Sequence, residues 1–212
     1  MKSQYSQKFN HDLIASEYNE NVKDENNPIR EGYRKLLNWV SKKAKGSKII
    51  IDLGCGTGNT TLSLLNFHKV YCIDISQKML DIAKDKLKNK GEILFIKDDL
   101  LNFNKEIKNN KEIDTIISTY AIHHLTQKEK HQLFEKIYGF LNKGGRVIFG
   151  DLMFENKDKE NRMRIKYPNL IKDFDDEFYW YIDDETKKLK EIGFQIEIKR
   201  FSDLSWGIYG EK

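Results

Sequence analysis

No apolar run in these 212 residues approaches the ~20 needed to span a bilayer, and the opening stretch MKSQYSQKFNHDL lacks the apolar segment of a signal peptide. Both absences lead us to expect a cytoplasmic chain with no membrane span. Cysteine is scarce: Cys55 lies inside a glycine loop and Cys72 inside an apolar run, so neither reads as part of a disulfide framework or a zinc site and both are expected to be small buried fillers. The histidines and acids do not fall in a ligand spacing such as H-E-x-x-H, so no metal is expected. A dominant charge of one sign is also missing. Lysine and arginine number 37 against 33 aspartates and glutamates, a net charge of +4, and in KDKLKNKGE and NNKEID the signs are interspersed. That pattern fits a solvated face better than a nucleic-acid groove. Internal repeats and low-complexity linkers are absent too.

What remains is one domain's worth of chain with a regular alternation. Short apolar runs at 48–53, 69–74, 92–97, 113–119 and 145–151 are separated by amphipathic stretches near 59–67, 77–89 and 127–141. This is the pattern of parallel strands joined by crossover helices, and the continuously apolar runs at 49–51 and 116–117 suit strands covered on both faces. Ser76 is placed to cap the second helix, and Thr126 with Glu129 forms a capping box for the third. Ahead of the first strand, Ile29, Tyr33, Leu36, Leu37 and Val40 repeat at helical spacing, with Pro28 suited to the first turn. The first 27 residues read as a helical or loose lead-in. Past the fifth strand, 152–182 breaks the alternation with an insertion rich in rings, among them Phe174, Phe178, Tyr179 and Trp180. Asp183 or Asp184 is then placed to cap a helix to about 192, and FQIEIKRF with SWGIYG reads as a closing strand pair turning at Ser202 and Asp203.

The stretch IIIDLGCGTGN joins the first strand to the first helix. A glycine loop there lets a ligand approach the main chain, at the end of parallel strands where strand order reverses. Its glycines are Gly54, Gly56 and Gly58, whereas the nicotinamide dinucleotide fingerprint puts its third at the position of Asn59. Asp52, two residues before the first glycine, suits a cationic amine better than a pyrophosphate. A zwitterionic amino-acid tail uses both parts of such a site.

These residues are similar to the class I S-adenosylmethionine-dependent methyltransferases. DLGCGTGN resembles their first motif and VYCIDIS their second, whose acid, here Asp74, falls 20 residues after Gly54 and would accept both ribose hydroxyls. FIKDDLLNF resembles the third, whose aspartate takes the adenine amino group; here Asp98 stands where glycine is usual, so Asp99 is favoured and Asp98 is the rival. IDTIISTYAIHHL and LNKGGRVIFGD resemble the fourth motif and the turn and strand that follow it. The resemblance covers roughly 45–151 and looks nearest to small-molecule enzymes of the quinone-methylating group, where the lead-in IASEYNENV would bring Tyr18 over the methionine end of the cofactor. The implied fold is α/β: a Rossmann-like, doubly wound, mostly parallel seven-stranded sheet with an antiparallel C-terminal strand pair and a small helical cap. We divide a single methyltransferase domain, 1–212, into an N-terminal helical lid (1–44), a cofactor-binding core (45–151), a cap insertion (152–182) and a closing helix and strand pair (183–212). The implied cofactor positions are Tyr18, Asp52, Gly54, Cys55, Gly56, Gly58, Asp74, Ile75, Asp98 and Asp99, Leu100, Ser118 and Tyr120.

Several of these residues have a plainer use: Asp74 as a helix cap, Asp99 as a turn residue, Tyr18 as a packing side chain. His123 and His124 follow the fourth strand, where an acceptor would sit, and either can serve as a general base or simply pack beneath the insertion. The insertion's rings either form the core of a small cap or wall an apolar acceptor pocket. Expected, then, is methyl transfer from S-adenosylmethionine to a small molecule by in-line displacement. An RNA- or protein-directed enzyme is disfavoured, since neither an Asn-Pro-Pro-Tyr-like motif nor an appended nucleic-acid module is present. A nicotinamide oxidoreductase is disfavoured by the glycine spacing and Asp52, and a module that binds the cofactor without turnover is the remaining alternative.

Overall fold

The computed structural model describes residues 3–6, 8, 9, 11–107 and 112–212; the parts of the expected lead-in at 1, 2, 7 and 10 lie outside the described residues. Strands β1 (Ile49–Leu53), β2 (Lys69–Asp74), β3 (Glu92–Lys97), β4 (Thr115–Thr119) and β5 (Arg146–Phe154) pair in parallel in the order β3-β2-β1-β4-β5. The sheet continues antiparallel through β8 (Ser205–Glu211) to β7 (Gln195–Arg200), and the short β6 (Trp180–Tyr181) pairs with the end of β5. The main path is therefore the expected seven strands, with β6 an eighth off the path. Strand order reverses between β1 and β4, which opens a crevice at their carboxyl ends.

Period-two alternation assigns the faces. Ile51, Leu53, Ile116, Val147 and Phe149 pack in one cluster with Leu133, Phe134 and Ile137 of α5 (Gln127–Phe140) and Leu189 of α8 (Ile182–Ile192). Ile50, Cys72, Ile117 and Ile148 pack in another, with Leu36 and Val40 of α2 (Tyr33–Lys43) and Leu80, Ala83 and Leu87 of α4 (Gln77–Leu87). The sheet is covered on both sides, and both cysteines are buried and free. Ser76 caps α4 by accepting from Met79 N at 3.1 Å, and Thr126 and Glu129 close the capping box of α5.

Four sequence expectations change. The helix expected from Pro28 begins at Tyr33, because Gly32 turns the chain in the left-handed region at φ +81° just before it. The helix expected over 59–67 is the short α3 (Asn59–Ser63), since Leu64 leaves helical geometry to bury itself in the core. β5 runs to Phe154 rather than 151, so the insertion starts later; it carries α6 (Lys157–Lys166) and α7 (Ile171–Asp176). Asp183 and Asp184 do not cap α8, which starts at Ile182 with both inside its first turn, where their charge favours the helix dipole. The insertion's rings divide. Phe174, Tyr179 and Trp180 are buried, with Trp180 against Phe134 and Phe149, while Phe178 meets Tyr5 and Phe9 of the lead-in. The lead-in carries α1 (Ala15–Asn21). No described helix is long and apolar enough to cross a membrane.

Candidate functional site

The glycine loop leaves β1 beside β2: Gly54 and Cys55 donate to the Ile73 carbonyl at 2.8 and 3.1 Å. At Gly54 a Cβ would lie 2.3 Å from Ala121 Cβ, so the loop and the end of β4 approach as only glycine allows. At Gly56, φ +52°, a Cβ would meet nothing within 4 Å. Its missing side chain leaves room. The Gly56 N–H donates to Asp74 Oδ2 at 2.8 Å and Ser76 N–H to Oδ1 at 2.9 Å, so the loop itself orients the carboxylate at the tip of β2. Burial raises the Asp74 pKa against these amide hydrogen bonds.

Around this pair lies a crevice whose empty space, open mouth included, is about 630 Å³. Gly54, Gly56, Asp74, Ile75, Asp99, Leu100, Tyr18, Tyr120 and His124 all reach it. The two candidate aspartates separate clearly. Asp98 Oδ1 accepts from Asp99 N and Asn102 Nδ2 and stays outside, whereas Asp99 lines the crevice, caps the following turn through Oδ1, and accepts the Ser3 N–H on Oδ2 at 3.0 Å. The lead-in thus reaches the rim, bringing Ser3, Ser6, Phe9 and His11, none of them singled out by sequence.

A smaller recess beside the loop is lined by Cys55, Thr57, Asn59, Tyr18, Tyr33 and Tyr120. Arg30 lies against it, its guanidinium 5.6 Å from the Tyr18 ring and 5.3 Å from the Tyr120 ring. Sequence reasoning missed Arg30, which stands among turns outside any periodic pattern. Tyr120 takes φ +51°, uncommon for a side-chain-bearing residue, and its hydroxyl hydrogen-bonds Ser205 Oγ at 2.8 Å; burial raises its pKa. Behind the loop, Lys86 Nζ donates to Asn19 Oδ1 at 2.8 Å and Asn59 Oδ1 at 2.5 Å, tying α1 to the loop, and burial pushes its pKa down to about 8.

At the opposite end stand the histidines. His123 is buried, its Nδ1 hydrogen-bonded to Asp151 Oδ1. Asp151 also accepts from His123 N, Leu152 N and Trp180 Nε1. Burial pushes the His123 pKa down, but Asp151 overrides it and the net shift is upward. Burial also raises Asp151, yet His123 carries it below the usual carboxylate range. His124 Nδ1 lies 2.9 Å from Glu177 Oε2, its ring stacked on Phe9 at 4.3 Å; burial, then His123, hold its pKa well below the ordinary value. Glu177, next to the cap's ring-rich stretch, carried no sequence signal for this role.

The remaining expected residues do not reach the crevice. Asp52 shares the β1 face of Ile50 and points beneath α3, fully buried, where Oδ2 accepts from Thr61 Oγ1 at 2.6 Å. Ser118 donates to the Leu53 carbonyl at 2.7 Å and serves to tie β4 to β1. Gly58 faces Leu87 and Ala83 of α4. His123 stands behind His124.

Residues 50–145 match the profile of a methyltransferase domain family. An uncharacterized methyltransferase of Geobacillus sp. (strain WCH70) is 35% identical over 202 residues, covering 91% of each chain. One from Oceanobacillus iheyensis is 34% identical over 190 residues, covering 87% of this chain and 85% of that one. Among solved structures, the N-methyltransferase NodS of Bradyrhizobium japonicum WM9, in complex with S-adenosyl-L-homocysteine, superposes with a TM-score of 0.64 at 14% identity over 88% of each chain. Magnesium protoporphyrin IX methyltransferase of Synechocystis PCC 6803 gives 0.65 at 21%, covering 87% of this chain and 85% of that one. These two likenesses are of fold.

Proposed function

Because the chain belongs to the class I S-adenosylmethionine-dependent methyltransferases, we propose that the crevice at the ends of β1 and β4 holds this cofactor and brings a small-molecule acceptor to it. The observation that carries the reading is the Asp74 carboxylate, oriented by the Gly56 and Ser76 amides beside the open space that Gly56 leaves. Each Asp74 oxygen retains acceptor capacity for a ribose hydroxyl. Asp99 already holds one N–H donor on Oδ2 and would hold the adenine amino group, with Ile75, Met79 and Leu100 as apolar walls. In the recess, Arg30 would meet the carboxylate of the methionine tail and Tyr18 would close over it. Asp52 acts indirectly, from beneath the loop.

When bound, S-adenosylmethionine supplies a methyl group already activated by its sulfonium. The chain's own task is then orientation, keeping the acceptor atom ~3–3.5 Å from the methyl carbon in line with the sulfur. Lead-in residues and the cap would exclude water, with Phe9, Phe178 and His124 at the acceptor end. Burial among rings favours a small, partly apolar acceptor over a polymer. No observation favours the RNA- or protein-directed alternative.

Calorimetric titration with S-adenosylhomocysteine tests the cofactor half. Wild type is expected to bind one equivalent, and Asp74→Ala to lose at least about tenfold in affinity, the effect of ~1.4 kcal/mol. Undiminished binding in Asp74→Ala would refute the placement. A metabolite screen for methyl transfer tests the acceptor half.

A further inference from the structure

The acceptor end contains a grouping that methyl transfer does not require. Among the described residues, His123, His124 and Glu177 each offer one ligand atom, and these atoms all lie within 4.8 Å of one another. Sequence spacing conceals the group: the histidines are adjacent at the end of β4, and Glu177 arrives with the cap, 53 residues after His124.

We propose that His123, His124 and Glu177 bind a divalent transition-metal ion of the zinc type at the acceptor end of the crevice. Two imidazoles and a carboxylate form a ligand set that suits borderline ions such as zinc, iron(II), cobalt(II) and nickel(II) rather than magnesium or calcium. The spacing of the His124–Glu177 pair fits as well. Two ligand atoms each ~2.0–2.1 Å from one ion lie about 2.9–3.4 Å apart between octahedral and tetrahedral angles, and His124 Nδ1 to Glu177 Oε2 is 2.9 Å.

The surroundings carry the assignment further. Asp151 takes the Nδ1 side of His123 and fixes the plane of the ring, so Nε2 is the nitrogen that would face an ion. A carboxylate behind a ligating histidine is the usual outer partner in such sites. Asp151 is itself held by His123 N, Leu152 N and Trp180 Nε1, so the ring cannot swing without breaking a buried network. Phe9 stacks on His124 from the lead-in side and Phe178 lies beside Phe9, which shields the group from bulk water while His124 still lines the crevice. Three protein ligands leave coordination positions for an acceptor's oxygen, sulfur or nitrogen. An acceptor carrying a hydroxyl, thiol or amine is the class such an ion selects.

The test uses the full chain after treatment with a chelator. Titration with Co²⁺, read by its visible absorption, and with Zn²⁺, read by calorimetry, is expected to show one equivalent bound. Glu177→Gln and His124→Ala should each weaken binding by at least about tenfold, and Asp151→Asn by ~10–100-fold, as outer partners do. His131, paired with Glu185 at 3.2 Å on the outer side of α5, provides the control: His131→Ala should leave the Co²⁺ spectrum unchanged. Circular dichroism and the thermal transition of every metal-free variant report its fold independently of the metal. Failure of wild type to bind a stoichiometric ion would overturn the proposal. So would undiminished binding in both Glu177→Gln and His124→Ala, which would place the ion elsewhere. Since Glu177→Gln preserves size and hydrogen bonding, it remains informative even where His124→Ala does not fold.

Discussion

Asp52 accepts a hydroxyl hydrogen from Thr61 on one oxygen, while its buried Oδ1 has no hydrogen-bond partner among the described residues. Burial pushes its pKa from 3.8 up to about 7, against the Thr61 hydrogen bond and with help from Asp74. The folded chain therefore retains a proton that the unfolded chain releases near pH 4, so stability is fully present below that pH and falls as the pH rises to about 7. Asp52→Asn keeps an acceptor for Thr61 and removes the titration. In urea denaturation without cofactor, wild type should lose stability relative to Asp52→Asn between pH 4 and 7, by at most about 1.4 kcal/mol per pH unit. Parallel curves would mean the carboxylate is ionised throughout. Residue by residue, the sequence was legible where backbone geometry dictates identity. Gly54 and Gly56 are read from the loop because a Cβ would clash at one and fill open space at the other. Asp52 was misread because proximity in the chain does not say to which side of a strand a carboxylate turns.

At the scale of elements, strands β1 to β5 and the helices α4 and α5 were legible because each carries a local signal, an apolar run or a cap. The capping box does more than start α5: Glu129 Oε2 accepts from Thr126 N, while its Oε1 accepts Gln4 N of the lead-in at 3.0 Å. Thr126→Ala should cost about 1 kcal/mol in chemical denaturation. Glu129→Ala should cost that and also raise proteolytic cleavage within the first residues. Equal cleavage in the two variants would separate the lead-in from the helix start. The extent of α3 and the start of α2 were not legible, since a buried Leu64 and a left-handed Gly32 override periodicity through tertiary packing. The aromatic insertion left core and pocket wall as alternatives because composition is alike for both. Packing puts Trp180, Tyr179 and Phe174 in the core and Phe178 against the lead-in.

Taken as a whole molecule, the site is assembled from segments far apart in the chain. Ser3 joins Asp99 across 96 positions, and Arg30, His11, Phe9 and Glu177 meet the loop or the histidines only after the lead-in and the cap fold over the carboxyl ends of the strands. No local motif encodes such meetings, so this part of the site was invisible in sequence while the loop and Asp74 were plain. The Ser3 amide occupies the same Asp99 oxygen that an adenine amino group would use. On the proposed cofactor placement, a spent nucleoside would depart, and a fresh one enter, through a doorway latched by the chain's own lead-in. Ser3→Pro deletes that N–H, and it should quicken dissociation of S-adenosylhomocysteine in stopped-flow measurements while leaving the sheet's thermal transition in place. An unchanged off-rate would mean that the latch is ornamental and that traffic is governed elsewhere.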